Sequence, residues 1–228
     1  MRLFMNAWLS RAATRVHAHD NLLLAFIACP VIILPMSQEL KCQPRVRKTW
    51  FTADTHFGHA NIMKYCNRPF TSVEDMDAEL IVRWNMVVQP GDTVWHIGDF
   101  NFHGKGRPLA SHYLSALNGD KHLIWGNHDR QETRKASGWA SSRAYAEVCV
   151  DDTDLVLFHY GMRVWNRSHH GIIHLYGHSH GTLPGDGGSL DVGVDCWDFQ
   201  PVGLDVIKMR LATLPPRPAY PPRLKEEI

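Results

Sequence analysis

Four short polar clusters, each placed directly after an apolar run of strand-like composition, constrain this chain more than any other feature. Asp54-Thr55-His56 follows Thr49 to Thr52, and Gly98-Asp99 follows Thr93 to Ile97. Gly126-Asn127-His128-Asp129 follows His122 to Trp125, and Gly177-His178-Ser179-His180 follows Ile172 to Tyr176. A lone His159 closes one further run, Leu155 to Phe158. A sheet built from such runs delivers all five groups to one edge.

The segments between the clusters support a sheet with helices. From Val73, the apolar positions Met76, Leu80, Ile81, Trp84 and Val88 recur at helical spacing, with Glu74 and Asp75 suited to the positive end of a helix. Pro90-Gly91-Asp92 stops that helix, and Pro108 to Leu117 reads as a second one, stopped by Asn118-Gly119. Strand, helix, strand, helix is the α/β rhythm. After it come three strand candidates separated by loops, Leu155 to Phe158, Ile172 to Leu175 and Leu190 to Val194, so a second sheet is expected to pack on the first.

At 228 residues, of which 44% are hydrophobic, the chain has material for one sizeable core. That domain is expected over residues 49–213, preceded by an extension, 1–48, and followed by a proline-rich tail, 214–228. The extension contains an apolar segment, 22–35, behind Arg2, Arg11 and Arg15. It is shorter than the roughly 20 apolar residues that span a bilayer, and Pro30 and Pro35 interrupt it. The favoured reading is a cytoplasmic protein with a leading extension. The alternative is anchoring or export through residues 1–36, with weak membrane association through the apolar segment.

A formal net charge of +1 builds no general attraction to nucleic acid or acidic membranes into the chain. Five cysteines without a Cys-x-x-Cys pair argue against a disulfide framework or a thiolate zinc site and suit a reducing compartment. Fifteen histidines matter more, because imidazole is the commonest metal ligand.

Asp54 and His56, two apart at a strand end, point to one side and can grip a cation together. Asp99 follows a glycine that lets the backbone turn tightly, and its two oxygens suit a bridge between two ions. Asn127 offers an amide oxygen, while His128 offers a proton donor and Asp129 a carboxylate to orient it. His178 and His180, again two apart, can each reach one of two neighbouring ions. His159 alone would be an ordinary strand-end histidine; its company makes it a ligand candidate.

The ordered set D-x-H, G-D, G-N-H-D, H and G-H-x-H resembles the calcineurin-like metallophosphoesterase superfamily over about Thr49 to Leu211. Phe51 to Asn61 and Val192-Gly193-Val194-Asp195 resemble its small bacterial and phage phosphoesterases. The resemblance implies a four-layer α-β-β-α sandwich of two packed mixed sheets flanked by helices. It also implies two divalent metal ions: Asp54, His56, Asp99 and His180 hold the first, and Asp99, Asn127, His159 and His178 the second. One departure is local. Many members continue the second motif as G-D-x-x-D, whereas Phe102 stands at the last position here.

With such a ligand set, a hydroxide shared by the two metals would attack phosphorus directly. His128 would protonate the leaving group while Asp129 held it charged and oriented. Mixed nitrogen and oxygen ligands suit manganese, iron, zinc or cobalt. A small phosphate ester is the expected substrate, foremost a phosphodiester such as a cyclic nucleotide. A phosphomonoesterase and a non-catalytic metal-binding scaffold are the alternatives. His59 either touches substrate or braces its loop, and Arg130 either pairs with phosphate or is an exposed arginine at a helix start.

Overall fold

The computed structural model describes residues 45–217; the apolar segment 22–35 and most of the proline-rich tail lie outside the described residues. Strands and helices alternate first: β1 (Thr49–Thr52), α1 (Ile62–Tyr65), α2 (Val73–Val87), β2 (Thr93–His96), α3 (Ala110–Ala116), β3 (Asp120–Ile124), α4 (Gln131–Arg134) and β4 (Trp139–Arg143). Then come β5 (Tyr145–Val150), β6 (Thr153–Phe158), β7 (Ile173–Tyr176), β8 (Ser189–Asp191), β9 (Val202–Gly203) and α5 (Leu204–Leu211). One sheet has the order β4-β3-β2-β1-β9 and the other β5-β6-β7-β8.

Both sheets are mixed. β1 to β4 run parallel and β9 antiparallel to β1, while β6 to β8 run parallel and β5 antiparallel to β6. In register, Thr52 lies opposite His96, and His96 opposite Leu123, so β1, β2 and β3 end level with one another. Tyr176 and Asp191 are likewise opposed at the ends of β7 and β8. The two sheets touch at this same edge, where Ala53 bridges to Gly193 and the Val194 N–H donates to the Ala53 carbonyl at 3.0 Å.

Side-chain alternation produces the layers. Phe51, Trp95, Ile97 and Ile124 meet Leu155, Leu157, Leu175 and Leu190 between the sheets, and Leu204, Ile207 and Leu211 of α5 join that cluster. The opposite face of the first sheet packs Val94 and Leu123 against Met76, Leu80 and Trp84 of α2 and Tyr113 and Leu114 of α3. Each buried side chain of this size contributes about 1.5–3 kcal/mol. α2 starts where expected because the Ser72 hydroxyl accepts the Asp75 N–H at 3.0 Å, with Glu74 and Asp75 in the first turn. The outcome is the α/β sandwich of two mixed sheets with flanking helices that the resemblance implied.

Some boundaries differ from the sequence reading. The second helix is shorter than Pro108 to Leu117, because Leu109 and Leu117 have extended backbones at its two ends. The strand expected over Leu190 to Val194 ends at Asp191 and gives way to a 3-10 turn, Val194–Cys196. The start of the tail is tied down: Leu214 packs on the inter-sheet core, Pro215 accepts the Gly187 N–H at 2.8 Å, and the Arg217 guanidinium sits 3.8 Å from the Trp165 ring centre. Trp165 is therefore a buried packing residue, its Nε1 donating to the Ile172 carbonyl at 2.8 Å. Among the described residues no helix is long and apolar enough to cross a membrane.

Candidate metal centre

Five of the seven expected ligands have left-handed backbones: Asp54 (φ 57°), His56 (51°), Asp99 (59°), His178 (66°) and His180 (47°). Such a conformation costs a non-glycine residue about 1–3 kcal/mol, so tight turns at the sheet edge must hold it. The Asp54 N–H donates to the Gly98 carbonyl at 2.9 Å and the His56 N–H to that of Asp99 at 3.0 Å. Gly126 packs so closely against Asp99 that a Cβ there would overlap the Asp99 carboxylate and backbone. Gly98 has φ 91° and leaves no room for a Cβ beside His159.

The first group is Asp54, His56 and His180, whose potential ligand atoms all lie within 4.8 Å of one another. Asp54 is fully buried, and among the described residues its carboxylate is hydrogen-bonded by the His178 N–H alone, at 3.1 and 2.8 Å from its two oxygens. Burial, reinforced by Asp191 and Asp99, pushes its carboxyl well above the usual carboxylate range. His56 is buried with neither ring nitrogen partnered, and burial pushes its imidazole well below the ordinary value. His180 directs Nδ1 to Asp195 Oδ2 at 2.7 Å, leaving Nε2 for the group.

The second group is Asp99, His159 and His178, again within 4.8 Å. His159 Nδ1 lies 2.8 Å from the Ile97 carbonyl, which can only accept, so this nitrogen carries the proton. Nε2 faces two oxygens, Asn127 Oδ1 at 3.1 Å and Asp99 Oδ2 at 3.4 Å. Burial pulls the His159 imidazole down, but Asp99 and the Ile97 carbonyl outweigh it and hold it above the ordinary value. Asp99 Oδ2 is also 3.6 Å from His56 Nε2, between the two groups, while Oδ1 accepts the His128 N–H at 2.8 Å.

These donor sets fit divalent cations. A buried carboxylate lacking a positive partner, an imidazole with both nitrogens orphaned and acceptors facing one another are each costly alone. A bound cation relieves all three. A further group, Cys66, His180 and Asp195, also converges. It lacks that character, because Arg68 already engages both Asp195 oxygens and burial pushes the Cys66 thiol up to about 11.

The groups open into a cleft of about 400 Å³ lined by His56, His59, Asp99, His128, His178 and His180, with Ile62, Tyr65 and Cys66 on one wall. His128 is exposed, its ring centre 5.3 Å from that of His56. His59 lies flat on Phe102, with ring centres 4.3 Å apart and an interplanar angle of 7°, and its Nδ1 is unpartnered. Phe102, the departure from G-D-x-x-D, is thus the platform for His59.

Two expectations need correction. Asp129 does not orient the His128 ring: its oxygens accept the backbone N–H groups of Asp99 (2.9 Å), Phe100 (2.9 Å) and Gly126 (2.8 Å). The chain turns back after His128, burying the carboxylate beneath both loops. Arg130 does not line the cleft; it is exposed at the start of α4, where its charge acts on His103.

The sequence reading missed Arg68 and the role of Asp191. Asp191 receives the Ser179 hydroxyl at 2.5 Å and the N–H groups of Gly181 (3.0 Å) and Gly193 (2.7 Å), shaping the Gly177 to His180 loop. Its position at the end of β8, within the strand candidate, was the available signal. Arg68 had none, since Asp195 lies 127 residues away.

Fold and site together define a metal-dependent hydrolase of phosphate esters. The family description "calcineurin-like phosphoesterase" matches residues 47–207, and the chain belongs to that family. It is similar to an uncharacterised protein of Methanocaldococcus jannaschii, 32% identical over 169 residues, covering 71% of this chain and 90% of that one. The gene 66 protein of Mycobacterium phage D29 is 29% identical over 178 residues, covering 65% of this chain and 88% of its own length. Among solved structures, a protein of unknown function from Aquifex aeolicus shares the fold, with a TM-score of 0.58 and 19% identity over 72% of this chain and 100% of that one.

Proposed function

We propose that the protein hydrolyses phosphodiesters, cyclic nucleotides among them, using a pair of divalent ions. The composition of the cleft carries this reading. Among the described residues that line it, the cationic candidates are all histidines, with no lysine or arginine to neutralise the second charge of a monoester. Ile62 and the exposed Tyr65 give a second organic substituent an apolar wall.

Asp54, His56 and His180 would hold one ion and Asn127, His159 and His178 the other, with Asp99 shared. The position of Asp99 Oδ2, 3.6 Å from His56 Nε2 and 3.4 Å from His159 Nε2, supports that sharing. When bound, such ions supply Lewis-acid activation of water and neutralisation of phosphoryl charge. Manganese, iron, zinc and cobalt suit the nitrogen and oxygen donors. The protein's own part in bond breaking falls to His128. Its exposed ring would give a proton to the leaving oxygen as the P–O bond breaks, and solvent would restore it.

The test is to load purified protein with one metal at a time and compare a cyclic nucleotide, an aryl diester and an aryl monoester. A higher kcat/KM for the diesters is expected. Preference for the monoester would overturn the diester reading, and full metal occupancy without turnover of any ester would favour the scaffold.

A further inference from the structure

Arg68 lies just beyond α1 and is only 4% exposed, and all five N–H bonds of its guanidinium have acceptors. Nε and Nη2 donate to Asp195 Oδ1 and Oδ2 at 2.8 Å each. Nη2 also donates to the Asp54 carbonyl at 2.7 Å, and Nη1 to the Thr55 carbonyl at 3.0 Å and Met76 Sδ at 3.6 Å.

Two consequences meet in this one side chain. The Asp54 and Thr55 carbonyls belong to the loop whose left-handed residues, Asp54 and His56, carry ligand atoms. Relaxing that loop would break two charge-assisted bonds. On the other side, Arg68 orients both oxygens of Asp195, and Asp195 Oδ2 accepts a hydrogen bond from His180 Nδ1–H, turning Nε2 inward. Burial alone would raise the Asp195 carboxyl, but His180 and Arg68 outweigh it and hold it below the usual range. Arg68 therefore reaches Asp54, His56 and His180, the whole first group. It has no hydrogen bond to Asn127, His159 or His178.

We propose that Arg68 is a positioning residue that organises the first cation site and leaves the second untouched. The inference rests on the two-ion reading above. Lysine cannot replace it, because three donors on a flexible stem cannot reproduce a bidentate grip plus two carbonyl contacts.

Calorimetric titration of metal-free full-length protein with Mn²⁺ tests this. Wild type should take up two equivalents. In Arg68→Lys, one class of site should weaken about 10–100-fold, the range for loss of an outer partner of a metal ligand, while the other keeps its affinity and the far-UV circular dichroism stays unchanged. Asp195→Asn, which keeps the side chain's shape, should weaken the same class and leaves the inference testable if Arg68 variants fold poorly. Two unaltered classes, or equal weakening of both, would overturn the positioning role. Uptake of fewer than two equivalents by wild type would contradict the two-ion reading itself and remove this inference with it.

Discussion

Asp129 Oδ2 accepts the backbone N–H of Asp99 at 2.9 Å, so a carboxylate one residue from His128 braces the loop that carries the central ligand. Asp129→Ala would leave three buried N–H groups without partners, at a cost of about 2–4 kcal/mol. Thermal unfolding of metal-free protein should show that loss, and metal affinity should fall with it. Unchanged stability with a shifted pH–rate profile would instead return Asp129 to orienting the His128 ring.

His128→Ala should retain its metal, because the His128 contact to Asp99 is made by the backbone N–H. Its kcat should fall about a hundred- to ten-thousand-fold on substrates with poor leaving groups, the usual contribution of a general acid. Aryl esters that leave readily should be affected far less. Equal losses on alkyl and aryl leaving groups would argue against proton donation.

Asp92, at the opposite end of β1 and β2 from the cleft, tests the scaffold independently. It is buried, which raises its carboxyl, but donors from Arg45, the Lys48 N–H, the Trp50 indole and the Gln89 N–H outweigh burial and hold it below the usual range. A depressed native pKa stabilises the fold above the unfolded value of about 3.9 and loses that contribution as pH falls through the native value. Asp92→Asn should therefore be less stable than wild type at neutral pH, with the gap closing under acid. Chemical denaturation at pH 7 and pH 3 measures it; a constant gap would contradict the assignment.

Gly126→Ala places a Cβ onto the Asp99 carboxylate and backbone, which cannot move without breaking the Asp129 contacts. The variant should lose metal uptake more severely than Asp129→Ala. Full uptake, measured by metal analysis after gel filtration, would show that the loops tolerate more space than their packing implies.

The order of polar clusters made most of the site legible, because register alone carries strand-end residues to a common edge. Asp54, Asp99 and His159 follow their strands within three residues, so the strand ends bring them to that edge, whereas His180 depends also on the loop that Asp191 shapes. Arg68 was illegible, since an arginine before Pro69 has no periodicity and its partners are set by tertiary contact. Asp129 was misread because sequence adjacency to His128 says nothing of which way a buried carboxylate turns. In the fold, β4 (Trp139–Arg143) reads as polar because it is a half-buried edge strand. β9 has two residues, too few for any pattern. α5 buries Leu204, Ile207 and Leu211 at helical spacing, a signal present but short.

Anomalous diffraction from crystals of the manganese-loaded protein tests the central claim most directly. Two peaks roughly 3.5–4 Å apart, one on each side of Asp99 Oδ2 and within coordination distance of the two groups, are predicted. A single peak in the cleft, or peaks away from Asp99, would contradict it.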